Sequence, residues 1–96
     1  MANFTVTRKT LDQVVDRINT VLQAPKQAYS ETDGNFKANI DNYHLSGAYG
    51  GVCLHRMHNE SGGVSDVFQC GHVTKRDLYN RIHAFLRGIE IERTGF

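Results

Sequence analysis

Between Tyr43 and Val67 the chain carries two glycine doublets, Gly50-Gly51 and Gly62-Gly63, on either side of the apolar segment Val52 to Met57. Six of its nine glycines fall between Gly47 and Gly71. A doublet admits positive φ and lets another group approach the main chain closely, at an entropic cost that an ordinary surface turn has little reason to incur twice. The stretch therefore predicts short strands joined by tight turns, and it is the first place to look for a ligand.

The flanking segments change period. Leu11, Val14, Val15, Ile18, Val21 and Leu22 recur at helical spacing with polar residues between them, which predicts an amphipathic helix capped by Thr7 or Thr10 and stopped before Pro25, the only proline. Asn3 to Thr7 alternate and read as a short leading strand. Asp33-Gly34 suits a two-residue hairpin turn between Gln27–Thr32 and Asn35–Ile40. Phe36, Ala38 and Ile40 alternate with Asn35, Lys37 and Asn39, which predicts one buried and one wet face. Asp41-Asn42 then turns the chain into Tyr43–Ser46, a third strand. Val52–His58 is a fourth, with Val52, Leu54 and Arg56 on one face and Cys53, His55 and Met57 on the other. Val64–Gln69 returns as a fifth.

Thr74-Lys-Arg-Asp77 opens a second helix, with Asp77 in the place usually held by Glu in a capping box. Leu78, Ile82, Phe85, Leu86 and Ile89 form its apolar stripe, and Gly88 marks its expected carboxyl end. The tail Ile89–Phe96 is expected to add a strand or to reach a neighbouring subunit as an arm. The fold class so predicted is α+β: an N-terminal helix, an antiparallel β-meander of four to five strands, and a C-terminal helix packed on the sheet.

Composition bounds the function. The chain's 96 residues suit one domain, 1–96, with a thin core that makes oligomerisation a sensible expectation. No apolar run approaches the ~20 residues of a membrane span. The amino terminus lacks a basic-then-apolar export pattern, so the expected location is the cytoplasm and Cys53 and Cys70 are expected as reduced thiols. A net charge of +1 argues against a broad electrostatic grip on DNA or RNA.

On the second helix Arg76, Asn80, His83 and Arg87 form a polar stripe. Arg76 in the first turn is well placed to meet a phosphate, although a plain solvated face reads the same way. Tyr49 beside Gly50-Gly51 sets an aromatic ring next to main-chain amides, and Asn59 beside Gly62-Gly63 offers a side-chain amide for a base edge. Ring, amide, glycine N–H groups and arginine are the set a nucleotide-like ligand needs. The competing reading is two glycine turns of a meander, since neither doublet matches a P-loop or dinucleotide fingerprint. Cys53-x-His55 and Cys70-x-His72 together offer a Cys2His2 zinc set at an unusual spacing. A cysteine–histidine nucleophile pair has no third group to orient it, and His55 and His58 fall on opposite faces of a strand. No enzymatic activity is therefore expected.

Along Tyr43-His-Leu-Ser-Gly-Ala-Tyr-Gly-Gly-Val, Asn59-Glu-Ser-Gly-Gly-Val and Thr74-Lys-Arg-Asp-Leu-Tyr-Asn-Arg the chain resembles the first family of phage Thoeris anti-defence proteins, over most of residues 8 to 90. The resemblance implies a sponge that sequesters a cyclic ADP-ribose isomer made by a bacterial TIR-domain enzyme, without cleaving it. It also implies a hexamer built from dimers and, as in some members, cyclic di- or trinucleotides at a separate site. No cofactor, metal, membrane or DNA is implied. By position, Tyr49 would stack on adenine, Asn59 would lie nearby and Arg76 would meet the pyrophosphate at a subunit interface. Asn80 stands where a second arginine is expected. The alternative class is a small phage protein that inhibits a host defence enzyme or nuclease by direct contact.

Overall fold

The computed structural model describes residues 5–94 and has the α+β order anticipated above. Helix α1 spans Arg8–Val21, followed by strands β1 (Tyr29–Thr32), β2 (Asn35–Ala38), β3 (Tyr43–Ala48), β4 (Gly51–Met57) and β5 (Val64–Asp66), and by helix α2 (Lys75–Thr94). The strands divide into two antiparallel sheets, a β1-β2 ribbon and a three-stranded sheet in the order β3-β4-β5. Asn3 and Phe4 of the expected leading strand lie outside the described residues, and Thr5–Thr7 form neither helix nor strand.

Thr7 is the cap of α1, its hydroxyl accepting from the Thr10 N–H at 3.1 Å. The helix ends at Leu22, and Gln23 then takes a positive φ of 56° before Pro25. Leu11, Val15 and Ile18 of α1, Leu78, Ile82 and Leu86 of α2, and Val52 and Leu54 of β4 make one buried cluster. Both helices thus cover one face of the three-stranded sheet, and each such side chain contributes roughly 1.5–3 kcal/mol by leaving water. A polar clamp fixes the register between layers. Buried Asn19 donates from Nδ2 to the Tyr43 carbonyl at 3.0 Å and accepts the Tyr43 N–H at 2.9 Å.

Three sequence expectations change. The ribbon does not bury a face along its length: Ala38 is buried, but Phe36 is 72% exposed and Ile40 is exposed. Alternation placed Phe36 on the same side as Ala38, but among the described residues no element covers the ribbon's tip. Helix α2 does not stop near Gly88; it continues through Thr94, so Ile89–Thr94 are helix and not strand. One interior glycine costs only about 1 kcal/mol, and the helix formers Glu90, Glu92 and Arg93 follow it. Residues 95 and 96 of the expected tail lie outside the described residues. Strand β5 is shorter than Val64–Gln69 because the Asp66 carboxylate turns the chain, accepting N–H groups of Phe68 (3.2 Å), Gln69 (3.0 Å) and Gly71 (2.8 Å). Among the described residues no helix is long and apolar enough to cross a membrane.

Candidate functional site

Strands β3 and β4 pair from Tyr43↔Arg56 to Ala48↔Gly51, which leaves Tyr49-Gly50 as a two-residue turn. Both residues have positive φ, 54° for Tyr49 and 75° for Gly50, as the hairpin twist requires. Glycine adopts this freely, whereas a bulky residue there is strained by roughly 1–2 kcal/mol. Tyr49 is nevertheless fully exposed, at 101%. Its ring meets that of His72 in a T-shaped arrangement, with centroids 6.3 Å apart and planes at 78°. An aromatic ring held at the tip of a tight turn, strained and almost without packing, stabilises the fold very little.

The second glycine of the doublet does different work. Gly51 is the first residue of β4, and a Cβ there would lie 2.9 Å from the Val73 carbonyl oxygen and 3.1 Å from the His72 carbonyl carbon. This close approach lets Val52 and Val73 exchange two hydrogen bonds, of 2.8 and 2.9 Å. The bridge docks the lead-in to α2 beside the Tyr49 turn. Thr74 then caps the helix, accepting the Asp77 N–H at 3.1 Å, while the Asp77 carboxylate accepts from Arg81 Nε at 3.0 Å. Arg76 is exposed in this first turn and Asn80 is exposed one turn further on, about 6 Å along the axis. The first turn of α2, which carries Arg76, therefore starts from the end of β4 that carries Tyr49-Gly50-Gly51, with Asn80 a helical turn further on.

Asn59, Gly62 and Gly63 gather at the other end. Asn59 Oδ1 accepts the N–H groups of Ser61 (3.0 Å) and Gly63 (2.8 Å), so its carbonyl shapes the loop. Gly62 has a φ of 96° and lies against the Tyr29 hydroxyl; a side chain on Gly63 would collide with Asn59 Nδ2. The seven residues of β4 separate the two groups by about 20 Å. One chain does not bring Asn59 to Tyr49.

Sequence reasoning singled out His55 and His72 only within the two Cys-x-His pairs, and missed that they line up with His44 behind the turn. His44, His55 and His72 form a file on the sheet face away from the helices, with ring centroids 5.9 Å apart between His44 and His55 and 6.3 Å apart between His55 and His72. Tyr49 ends the file. His72 Nε2 is 3.3 Å from Ser46 Oγ, and His44 Nδ1 is 3.1 Å from Asn42 Oδ1. Burial, then proximity to His55, lowers the His44 pKa; burial and then His72 lower that of His55, against an opposing pull from Asp66. The alternation of β3 and β4 put His44 and His55 on the strands, but only the register makes them neighbours.

Asp66 was also missed. Its burial disfavours ionisation, yet donors from Gly71, the Cys53 thiol, Gln69 and Phe68 outweigh this and lower its pKa. Burial, with Asp66 adding to it, pushes the Cys53 thiol up to about 11, so this cysteine is protonated at neutral pH and is no activated nucleophile. Cys53 and Cys70 are both free thiols. Among the described residues no three His, Cys, Asp or Glu side chains converge to hold a metal ion, so the two Cys-x-His pairs do not combine.

Three cavities open elsewhere: about 380 Å3 between α1 and α2, about 250 Å3 by Pro25 and Arg56, and about 310 Å3 by Asp16 and His44. None of the three is lined by Tyr49, Asn59 or Arg76. No family model, curated protein or solved structure matches the chain.

Proposed function

We propose that this chain is a non-enzymatic phage anti-defence protein that binds and sequesters a cyclic ADP-ribose isomer, as its resemblance to the Thoeris anti-defence family implies. The observation that carries the reading is Tyr49: a strained, fully exposed ring on a turn that the Val52–Val73 bridge docks beside the first turn of α2. In this reading Tyr49 stacks on adenine, the Gly50 and Gly51 amides and the Arg76 guanidinium meet phosphate oxygens, and Asn80 donates one neutral hydrogen bond. Asn59 and the amides of Gly62 and Gly63 come from a second copy, because one strand holds them about 20 Å from their own Tyr49. The site is thus closed between subunits of a dimer-based hexamer in the host cytoplasm. Cyclic di- or trinucleotides at a separate site belong to the same proposal.

The test is to mix the purified protein with cyclic ADP-ribose isomers, separate free ligand, and then denature the protein by heat. Intact ligand should be recovered, and Tyr49→Ala and Arg76→Ala should each release little. Recovery of linear product would make the protein an enzyme. Capture of one host protein and no nucleotide would favour direct inhibition by contact.

A further inference from the structure

Helix α2 runs past Gly88, and its added turns reach α1 through the contact of Glu90 with Arg17. There the two helices enclose a groove of about 380 Å3, lined by Arg17 of α1 and by His83, Ala84, Leu86, Arg87 and Glu90 of α2. Leu86 is part of the buried core, so the open lining is two guanidinium groups, an imidazole, one carboxylate and the methyl of Ala84. The one-carbon side chain of Ala84 leaves the space between them unfilled.

The charges in this groove are not matched as they are elsewhere on the helices. Arg8 has Asp12 and Arg81 has Asp77 at the next turn, the pairing that stabilises a helix surface. Arg87 has His83 at that spacing, a pair that repels when both are charged, and Glu90 on its other side is held at 2.6 Å by Arg17. Among the described residues neither His83 nor Arg87 has an acidic partner; His83 rests against the Tyr79 ring, with centroids 4.3 Å apart. Arg17 meets Glu90 through Nη2, which leaves its Nη1 and Nε donors unused among the described residues. Both arginines stand on fixed backbone, because Ile18 after Arg17 and Leu86 before Arg87 are buried in the core. Uncompensated positive charge held in place at a concave surface adds nothing to the fold and suits an anion.

We infer that the α1–α2 groove is a binding site for a small anion that carries a phosphate group. The Arg87 guanidinium and the unused donors of Arg17 meet the phosphate oxygens from the two helices, and His83 donates a further hydrogen bond. Glu90 stays with Arg17 and fixes the direction of its guanidinium. The volume falls at the small end of ligand pockets, which suits free phosphate or a phosphate ester of sugar size. Arg76 lies about 16 Å from Arg87 along the helix axis, so the groove is separate from the Tyr49 turn and stands or falls separately from the cyclic ligand.

Titration of the full chain with inorganic phosphate and, separately, with ribose 5-phosphate tests it, at constant ionic strength and followed by proton–nitrogen correlation spectra. Phosphate should shift the Arg17 and Arg87 Nε–H signals and the amides of residues 83–90, and the shifts should saturate. Arg17→Gln and Arg87→Gln should each weaken binding about tenfold, and Arg87→Lys about threefold, because an ammonium keeps the charge but cannot grip two oxygens at once. All three substitutions are at exposed positions, and circular dichroism melts check that each variant keeps its fold. Tighter binding of ribose 5-phosphate identifies an organic ester as the ligand, and equal or weaker binding identifies free phosphate. Shifts that never saturate, shifts spread over Lys9, Lys75 and the other exposed cations, shifts centred on Arg76, or glutamine variants that bind like the wild type would each overturn the inference.

Discussion

Gly51→Ala tests how the candidate site is assembled, because the added methyl meets backbone and not a yielding side chain. The new Cβ would lie 2.9 Å from the Val73 carbonyl oxygen and 3.1 Å from the His72 carbonyl carbon, so the 72–73 segment must move. That movement breaks the Val52–Val73 exchange of hydrogen bonds, each worth about 1 kcal/mol net, and adds overpacking strain of about 1–3 kcal/mol. The expected cost is about 3–5 kcal/mol, a fall in Tm of roughly 15–25 °C for a chain of this size. Gly50→Ala is the control. Nothing lies within 4 Å of a Cβ there, and its φ of 75° alone costs about 1–2 kcal/mol. Urea unfolding compares the two, and amide exchange reads the Val52 and Val73 N–H groups directly. Gly51→Ala should lose protection at both amides and lose ligand capture with them. If it is no worse than Gly50→Ala and both amides stay protected, the close approach does not organise the site and the reasoning is wrong.

Asn19→Ala strips the partner from both backbone groups of Tyr43 and should cost about 2–4 kcal/mol in urea unfolding; a loss under about 1 kcal/mol would mean that water replaces the clamp. Stability should depend on pH in two separate windows. His44 and His55 are held below their ordinary value, by burial first and then by their neighbours in the file, so the unfolded chain takes up protons first. Their contribution is complete above about pH 6.5 and declines as pH falls from there toward the folded values, and His44→Gln with His55→Gln should flatten that decline. Asp66 is lowered, so its contribution is present above about pH 3.9 and is lost only as pH falls through its folded value; Asp66→Asn should leave the histidine window in place. Cys53, buried and raised to about 11, should resist a thiol reagent in the folded protein at neutral pH and react fully in urea; rapid native labelling would contradict its burial.

Both helices and the first hairpin are legible because their signals are local. Leu11, Val15 and Ile18 repeat at the helical period and are buried, and Asp33-Gly34 takes positive φ at both residues, as a two-residue hairpin turn requires. What the sequence concealed depends on what lies across space. Alternation says that Phe36 and Ala38 share a face, but only the surroundings decide that one is buried and the other bare. Gly88 carries a stop signal, but a cost of about 1 kcal/mol does not end a helix that has strong formers beyond it. Asp66 reads as an ordinary polar residue until the chain curls round its carboxylate, and His44, His55 and His72 become a file only through strand register and the return of the 66–73 loop.

The two glycine doublets show the same division in the site itself. Along the chain they read as one glycine-rich stretch, from which the sequence draws a single ligand set. Folded, they sit at the two ends of β4, a strand paired on both sides, so no hinge within the chain can draw Tyr49 and Asn59 together. A site that uses both must therefore take them from different copies, and capture becomes linked to assembly. Dilution below the association midpoint should then release ligand from the wild type, while Tyr49→Ala should abolish capture and leave the sedimentation profile unchanged. Ligand that stays bound to a demonstrated monomer would place Asn59 outside the site and leave Tyr49, Arg76 and Asn80 to hold it alone.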